Sequence, residues 1–180
     1  MTERPLLLAI DLQRVFGDPS SAWCAPRYAA AAANVVRLAP TFGERVLFTR
    51  FVAPAAPTGA WAPYYEEFPW ALEPSDSPLY ELTDDVAALA RRTVVATTFG
   101  KWNEDLRAIV GEQPALVVAG VATDCCVIST VLAAADAGAA VTVVTDACAG
   151  STDDNHRKAL DVMSLYAPLV TLATTDEVLG

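Results

Sequence analysis

Leu116-Val117-Val118-Ala119-Gly120-Val121-Ala122-Thr123-Asp124-Cys125-Cys126-Val127-Ile128-Ser129-Thr130 is the stretch that decides the fold. Its first half is a run of β-branched and small apolar residues closing on a glycine, the composition of a strand buried on both faces. Thr123 and Asp124 follow, and either suits the N-cap of the next element. Val127, Val131, Ala134 and Ala135 then recur at helical spacing up to Gly138, a C-terminal stop. The reading is strand, sharp turn and helix, with Cys125 and Cys126 in the helix's first turn. Unpaired N–H groups and the positive end of the helix dipole favour an anion there, which predicts a thiol pushed toward thiolate. The carboxyl end of a buried strand is also where an open α/β sheet places a nucleophile. A cysteine otherwise packs as a small hydrophobe, so the weight falls on what the other strand ends carry.

Working outward, Pro5-Leu6-Leu7-Leu8-Ala9-Ile10-Asp11 reads as a first buried strand ending in a carboxylate. No GxGxxG follows it, which argues against a dinucleotide site. Position 13 is Gln, so the second carboxylate of a DxD phosphotransfer motif is also missing. Residues 26–39 read as a helix between Pro26 and Pro40, and 45–51 as a second strand. Residues 53–80 hold six prolines, three tyrosines and two tryptophans with little periodicity, the mark of a lid, binding loop or interface. In it Trp61, Tyr64, Tyr65, Phe68 and Trp70 suit either the wall of an apolar pocket or packing onto the body. A short helix over 84–92, a strand over 93–97 and a helix over 104–111 capped by Asn103 follow. A strand over 140–145 ends at Asp146. Ser151-Thr152-Asp153-Asp154 reads as a capping box for a helix over 153–165. A last strand spans 169–172, and the chain ends in a helical turn. Strands alternating with helices imply a mostly parallel sheet covered on both faces, in one domain over residues 1–180.

Composition narrows the function. With 180 residues, 53% hydrophobic and 19% charged, the chain is a globular composition with a sizeable core. No run approaches the roughly 18 apolar residues of a membrane span, and residues 1–5 pass straight into the first strand without a secretory leader. A cytoplasmic protein without membrane contact is expected. The net charge of −10 with no basic run argues against nucleic acid. Cysteines at 24, 125, 126 and 148 show neither CxxC pairing nor partner histidines, so no zinc site or disulfide framework is suggested. His156, the single histidine, is read as a hydrogen-bonding residue rather than a catalyst.

Three reactive residues fall at or just beyond strand ends: Asp11 after the first, Lys101 after the third and Cys126 after the fourth. In an open parallel sheet those ends share the edge where ligands bind. An acid, a cation and a nucleophile on one rim suggest covalent catalysis. Asp11 would accept the thiol proton, Lys101 would hold that charge in register, and backbone N–H groups of the 121–126 turn would stabilise an oxyanion.

Gly120-Val121-Ala122-Thr123-Asp124-Cys125-Cys126-Val127, with Asp11 ending a first hydrophobic strand, resembles the isochorismatase-like cysteine hydrolases. The similarity runs over nearly the whole chain, to Thr175-Asp176-Glu177-Val178-Leu179. It implies an α/β fold, a three-layer α/β/α arrangement around a six-stranded parallel sheet, and a homo-oligomer, dimer or tetramer. It also implies an Asp-Lys-Cys triad acting on a C–N bond of a small amide or carbamoyl substrate. The family nucleophile directly precedes a Val, which makes Cys126 the match. The resemblance further implies a cis peptide at Val121-Ala122, with the amides of Ala122 and Cys126 as the oxyanion hole. Candidates for substrate contact are Gln13, Phe16, Arg50, Trp61 and Trp102. No cofactor is implied.

Two departures stand out. The family lysine closes the third strand, near Val95 or Ala96, whereas here Lys101 lies beyond it. With neighbouring strands about 4.8 Å apart, a lysine two strands from the first must span roughly 10 Å with help from its loop. The nicotinamidase branch carries histidine metal ligands after the second strand, where this chain has Arg50-Phe51-Val52-Ala53-Pro54, so no metal is expected. The competing readings are a vinyl-ether hydrolase of the same fold, a redox-responsive protein using Cys125-Cys126, and a catalytically silent scaffold.

Overall fold

The computed structural model describes residues 5–112 and 114–180; the expected passage of residues 1–4 into the first strand lies outside them. Six strands, β1 (Leu6–Ile10), β2 (Val46–Phe51), β3 (Thr93–Ala96), β4 (Ala115–Val121), β5 (Ala140–Ala149) and β6 (Val170–Ala173), form one sheet. Its order is β3-β2-β1-β4-β5-β6, and every pairing is parallel. The chain builds outward from β1 to β3, returns to lay β4 beside β1, and builds outward again. The direction therefore reverses between β1 and β4, and in such sheets that switch point is where a crevice opens at the carboxyl ends of the strands.

Alternate residues of each strand feed two apolar layers, as a period of two requires. Leu7, Ala9, Val117 and Ala119 pack with Ala31, Val35 and Leu38 of α2 (Tyr28–Phe42). Leu8, Ile10, Leu116 and Val118 pack on the other face against Leu106 of α5 (Glu104–Val110), Val131 and Ala134 of α6 (Ile128–Asp136) and Met163 of α7 (Asp153–Ser164). Four shorter helices complete the layers: α1 (Arg14–Gly17), α3 (Trp61–Glu67), α4 (Asp84–Ala87) and α8 (Thr175–Leu179). The result is the expected three-layer α/β/α arrangement.

Several boundaries differ from the sequence reading. Helix α2 continues through Pro40 to Phe42, at the cost of the one intrahelical bond that a residue-40 N–H would have made to the Val36 carbonyl. Strand β5 runs past Asp146 to Ala149, since buried Cys148 and Ala149 pair with Gly120 and Val121 after a register shift in β4. The proline-rich 53–80 stretch contains α3 and two 3₁₀ turns, Pro69–Ala71 and Pro78–Tyr80. Asn103 caps α5 by accepting from the Leu106 N–H at 2.9 Å. In α7 the cap is Thr152, which accepts from the Asn155 N–H, while Ser151 is engaged elsewhere.

At Gly120 the two central strands leave no room for a side chain. The glycine pairs with Ile10 and has φ of 118°. A Cβ built on it would run into the Ile10 backbone. Only glycine tolerates both conditions, and the residues emerging just beyond this contact are Asp11 and the turn that carries Cys126.

Candidate active site

Asp11 leaves β1 with φ of 51°, a left-handed conformation that Asp and Asn adopt more readily than most residues. Its carboxylate is fully buried. Oδ1 accepts from the Thr49 hydroxyl at 2.6 Å, and the same hydroxyl oxygen accepts the Asp11 N–H at 3.2 Å. Oδ2 has the Lys101 ammonium at 2.9 Å. Lys101 is itself fully buried and also donates to the Thr98 carbonyl at 2.8 Å. Its backbone N–H donates to Thr130 Oγ1 at 2.9 Å, and the Thr130 hydroxyl donates to the Cys126 carbonyl at 2.6 Å. The loop between β3 and α5 thus brings its lysine across β2 to the end of β1, and a threonine joins that lysine's backbone to the Cys126 carbonyl.

The turn after β4 has a form that periodicity does not disclose. The Val121–Ala122 peptide is cis. Residues Thr123–Val127 then form a π-helical turn leading directly into α6. The Ala122 carbonyl accepts from the N–H groups of Cys125 at 3.0 Å and Val127 at 3.1 Å. Neither Thr123 nor Asp124 caps this helix, whose N-cap is Ala122 without a side-chain bond. The two residues fasten the turn from behind. Thr123 pairs with His156 Nδ1 at 2.8 Å, and Asp124 accepts from the Ser151 N–H at 2.8 Å and from its hydroxyl at 2.6 Å. Burial pushes the His156 pKa down from its ordinary value.

Cys126 is buried beside Asp11, and its thiol pKa lies well above the ordinary value. Burial is the main cause; the negative charge of Asp11 adds to it and the Lys101 charge opposes it. The sequence reading expects the helix terminus to push the thiol toward thiolate; in the folded chain burial and the Asp11 charge push Cys126 the other way, against ionisation. The sign gives a test. The alkylation rate of Cys126 is expected to keep rising with pH beyond about 8.5, the value of a free thiol. Asp11→Asn should shift that profile to lower pH and Lys101→Met to higher pH, read by peptide mapping of the alkylated protein.

A cavity of about 310 Å³ opens over the thiol. Ala122, Cys125, Cys126 and Ser151 line one side. Trp61, Tyr64 and Phe68, spaced to share a face of α3 and its end, line another. Phe16, Ala22, Trp23, Cys24, Phe51 and Phe99 complete it. Trp23 stacks on Phe16 at 6.2 Å and meets Trp70 edge-on at 4.7 Å, while Phe99 packs on Trp61 at 5.2 Å.

Of the residues expected to touch substrate, Phe16 and Trp61 are on this wall, and Gln13, Arg50 and Trp102 are not. Gln13 is fully buried. Its amide donates to the carbonyls of Phe51 at 2.8 Å and Tyr80 at 2.6 Å, and its Oε1 accepts the Phe51 N–H at 2.7 Å. Arg50 Nε donates to the same Tyr80 carbonyl at 2.9 Å. Both side chains tie the end of the proline-rich excursion to the sheet. Trp102 packs against the α5–α6 layer. After β2, Val52, Ala53 and Pro54 offer no metal ligand, and among the described residues no group of His, Cys, Asp and Glu is arranged to hold an ion. All four cysteines are free.

Thr49 and Thr130 join the site without a motif to announce them. Thr49 is signalled by a single hydroxyl inside the apolar run of β2, and Thr130 by its place four residues after Cys126, where threonine bonds back to the helix carbonyl. Trp23 sits in an irregular loop and gave no signal.

A parallel α/β/α sandwich with a buried thiol, carboxylate and ammonium at the switch point defines a class of fold and site. The chain belongs to the isochorismatase domain family, whose model matches residues 5–177. Comparison with curated proteins gives no match. Among solved structures, an isochorismatase-like hydrolase from Alkaliphilus metalliredigens superposes with a TM-score of 0.79 at 15% identity, over 98% of this chain and 96% of that one. A cysteine hydrolase from Pseudomonas syringae gives 0.82 at 19% identity, over 97% and 90%. A nicotinamidase/pyrazinamidase from Bacillus subtilis gives 0.77 at 21% identity, over 96% and 100%. At these identities the likeness is one of fold.

Proposed function

We propose that the protein is a cysteine-dependent hydrolase that cleaves a C–N bond of a small amide or carbamoyl compound through a thioester. The observation that carries this reading is the Asp11 carboxylate, held by Thr49 and Lys101, beside the buried Cys126 thiol at an apolar cavity. The thiol proton moves to Asp11 as the sulfur attacks the carbonyl carbon. Lys101 keeps the carboxylate oriented throughout. The tetrahedral oxyanion lies against the amides of Ala122 and Cys126. As the C–N bond breaks, Asp11 returns the proton to the departing nitrogen. Water then enters, gives a proton to Asp11 and attacks the thioester carbonyl, and collapse releases the acid and restores the thiol. A vinyl-ether hydrolase would have no use for the thiol, and a redox sensor would have none for a buried carboxylate–ammonium pair.

The test is to capture the intermediate. Acid quenching during turnover of benzamide, followed by peptide mapping, is expected to find the benzoyl mass on Cys126 of the wild type and on no residue of Cys126→Ala. An adduct on Cys125 alone, or turnover that persists in Cys126→Ala, would overturn the reading.

A further inference from the structure

The wall of the cavity over Cys126 contains no charged side chain. Seven of its residues are aromatic, from five separate parts of the chain: Phe16 after β1, Trp23 in the following loop, Phe51 at the end of β2, the α3 face, and Phe99 in the lysine loop. The nearby cations are committed. Lys101 is spent on Asp11 and Thr98, Arg50 bonds the Tyr80 carbonyl, and Arg14 pairs with Asp84. Of the hydroxyls on the wall, that of Ser151 is engaged with Asp124 and Asn155. Tyr64 is the other, and burial with the adjacent thiols holds its pKa up at about 12, so it stays a neutral donor.

Resting on the amidohydrolase reading, we infer that the substrates are uncharged amides whose acyl part is one aromatic ring or an aliphatic group of similar bulk, and that amides bearing a carboxylate are rejected. An unpaired carboxylate loses its hydration in such a cavity and gains no compensating partner. The volume sets the size, since 310 Å³ is at the small end of ligand pockets, which span roughly 300–1,000 Å³. The aromatic walls supply stacking and edge contacts to a ring.

The test separates binding from chemistry by using two proteins. Cys126→Ala, which cannot turn over, is titrated with benzamide, cyclohexanecarboxamide and succinamate, with the quenching of Trp23 and Trp61 fluorescence as readout. The two neutral amides are expected to bind at least about 100-fold more tightly than succinamate, the scale of discrimination that one mismatched polar group produces in a site. Wild-type kcat/KM for the same three amides should follow that order. Phe99→Arg, a substitution at the cavity's partly exposed rim, is expected to close the gap by about tenfold or more by giving the carboxylate a partner. Succinamate binding as tightly as benzamide, or no amide binding at all, would overturn the inference. Neutral amides that bind Cys126→Ala in the expected order but are never hydrolysed by the wild type would leave the cavity's preference standing and remove the amidohydrolase reading.

Discussion

Cys126→Ala is expected to lower kcat/KM for a neutral aromatic amide by at least about 10⁴-fold, because removing a covalent nucleophile leaves only binding and electrostatic stabilisation. The fold should survive. Cys126 is a small buried side chain, and its loss to alanine opens a void worth about 1 kcal/mol, visible as a modest fall in the melting temperature. Cys125→Ala is expected to stay within about tenfold of the wild type, since Cys125 lines the cavity but lies apart from the Asp11–Lys101 pair in every contact described. The pair of kinetic constants distinguishes a nucleophile from a vicinal dithiol. If both cysteine variants fell equally, the chemistry would belong to the two thiols together.

The second large effect concerns the ion pair. Asp11 and Lys101 are both excluded from solvent, so Asp11→Asn or Lys101→Met alone leaves one charge buried without its partner. Such a loss costs about 3–5 kcal/mol, and either variant should unfold at markedly lower denaturant concentration. Replacing both at once removes the unpaired charge, and a neutral pair of similar volume is often no less stable than the ions it replaces. The double variant Asp11→Asn/Lys101→Met is therefore expected to recover most of the lost stability and none of the activity. Urea midpoints beside single-turnover rates read the two consequences independently. A double variant that regained activity with its stability would show the pair to be a structural device only.

Much of this was legible beforehand, for physical reasons that differ by residue. The β4–turn–α6 unit announced itself because a parallel strand buried on both faces must be continuously apolar, and the change from that run to helical spacing locates the turn. Asp11 was visible as a carboxylate ending such a run. Lys101 is read from its place beyond the third strand and from the resemblance, and the reach it needs is met by a loop whose backbone is tied to Thr130. Gln13 and Arg50 appeared suited to a ligand because polar side chains near a strand end are; they instead satisfy buried carbonyls that a sequence cannot show to be unpaired. The direction in which the thiol's pKa moves was misjudged for a related reason. The helix terminus is read from local pattern, while desolvation and the distance to Asp11 belong to tertiary structure. The caps at Thr123, Asp124 and Ser151 failed likewise, since their side chains found long-range partners in one another and in His156.

Lys101 stands on a connection and not on a strand, so the spacing of that connection decides where its charge meets Asp11. A residue within a strand is positioned by its ladder and tolerates changes in the loops on either side. The ammonium of Lys101 reaches β1 only because Thr97 to Gly100 have the length they do, with the Thr98 carbonyl folded back onto Nζ. Losing or gaining one residue there would preserve every side chain of the site while misdirecting its charge. The length of that four-residue connection is therefore what sets where the charge arrives, apart from the contacts its own side chains make.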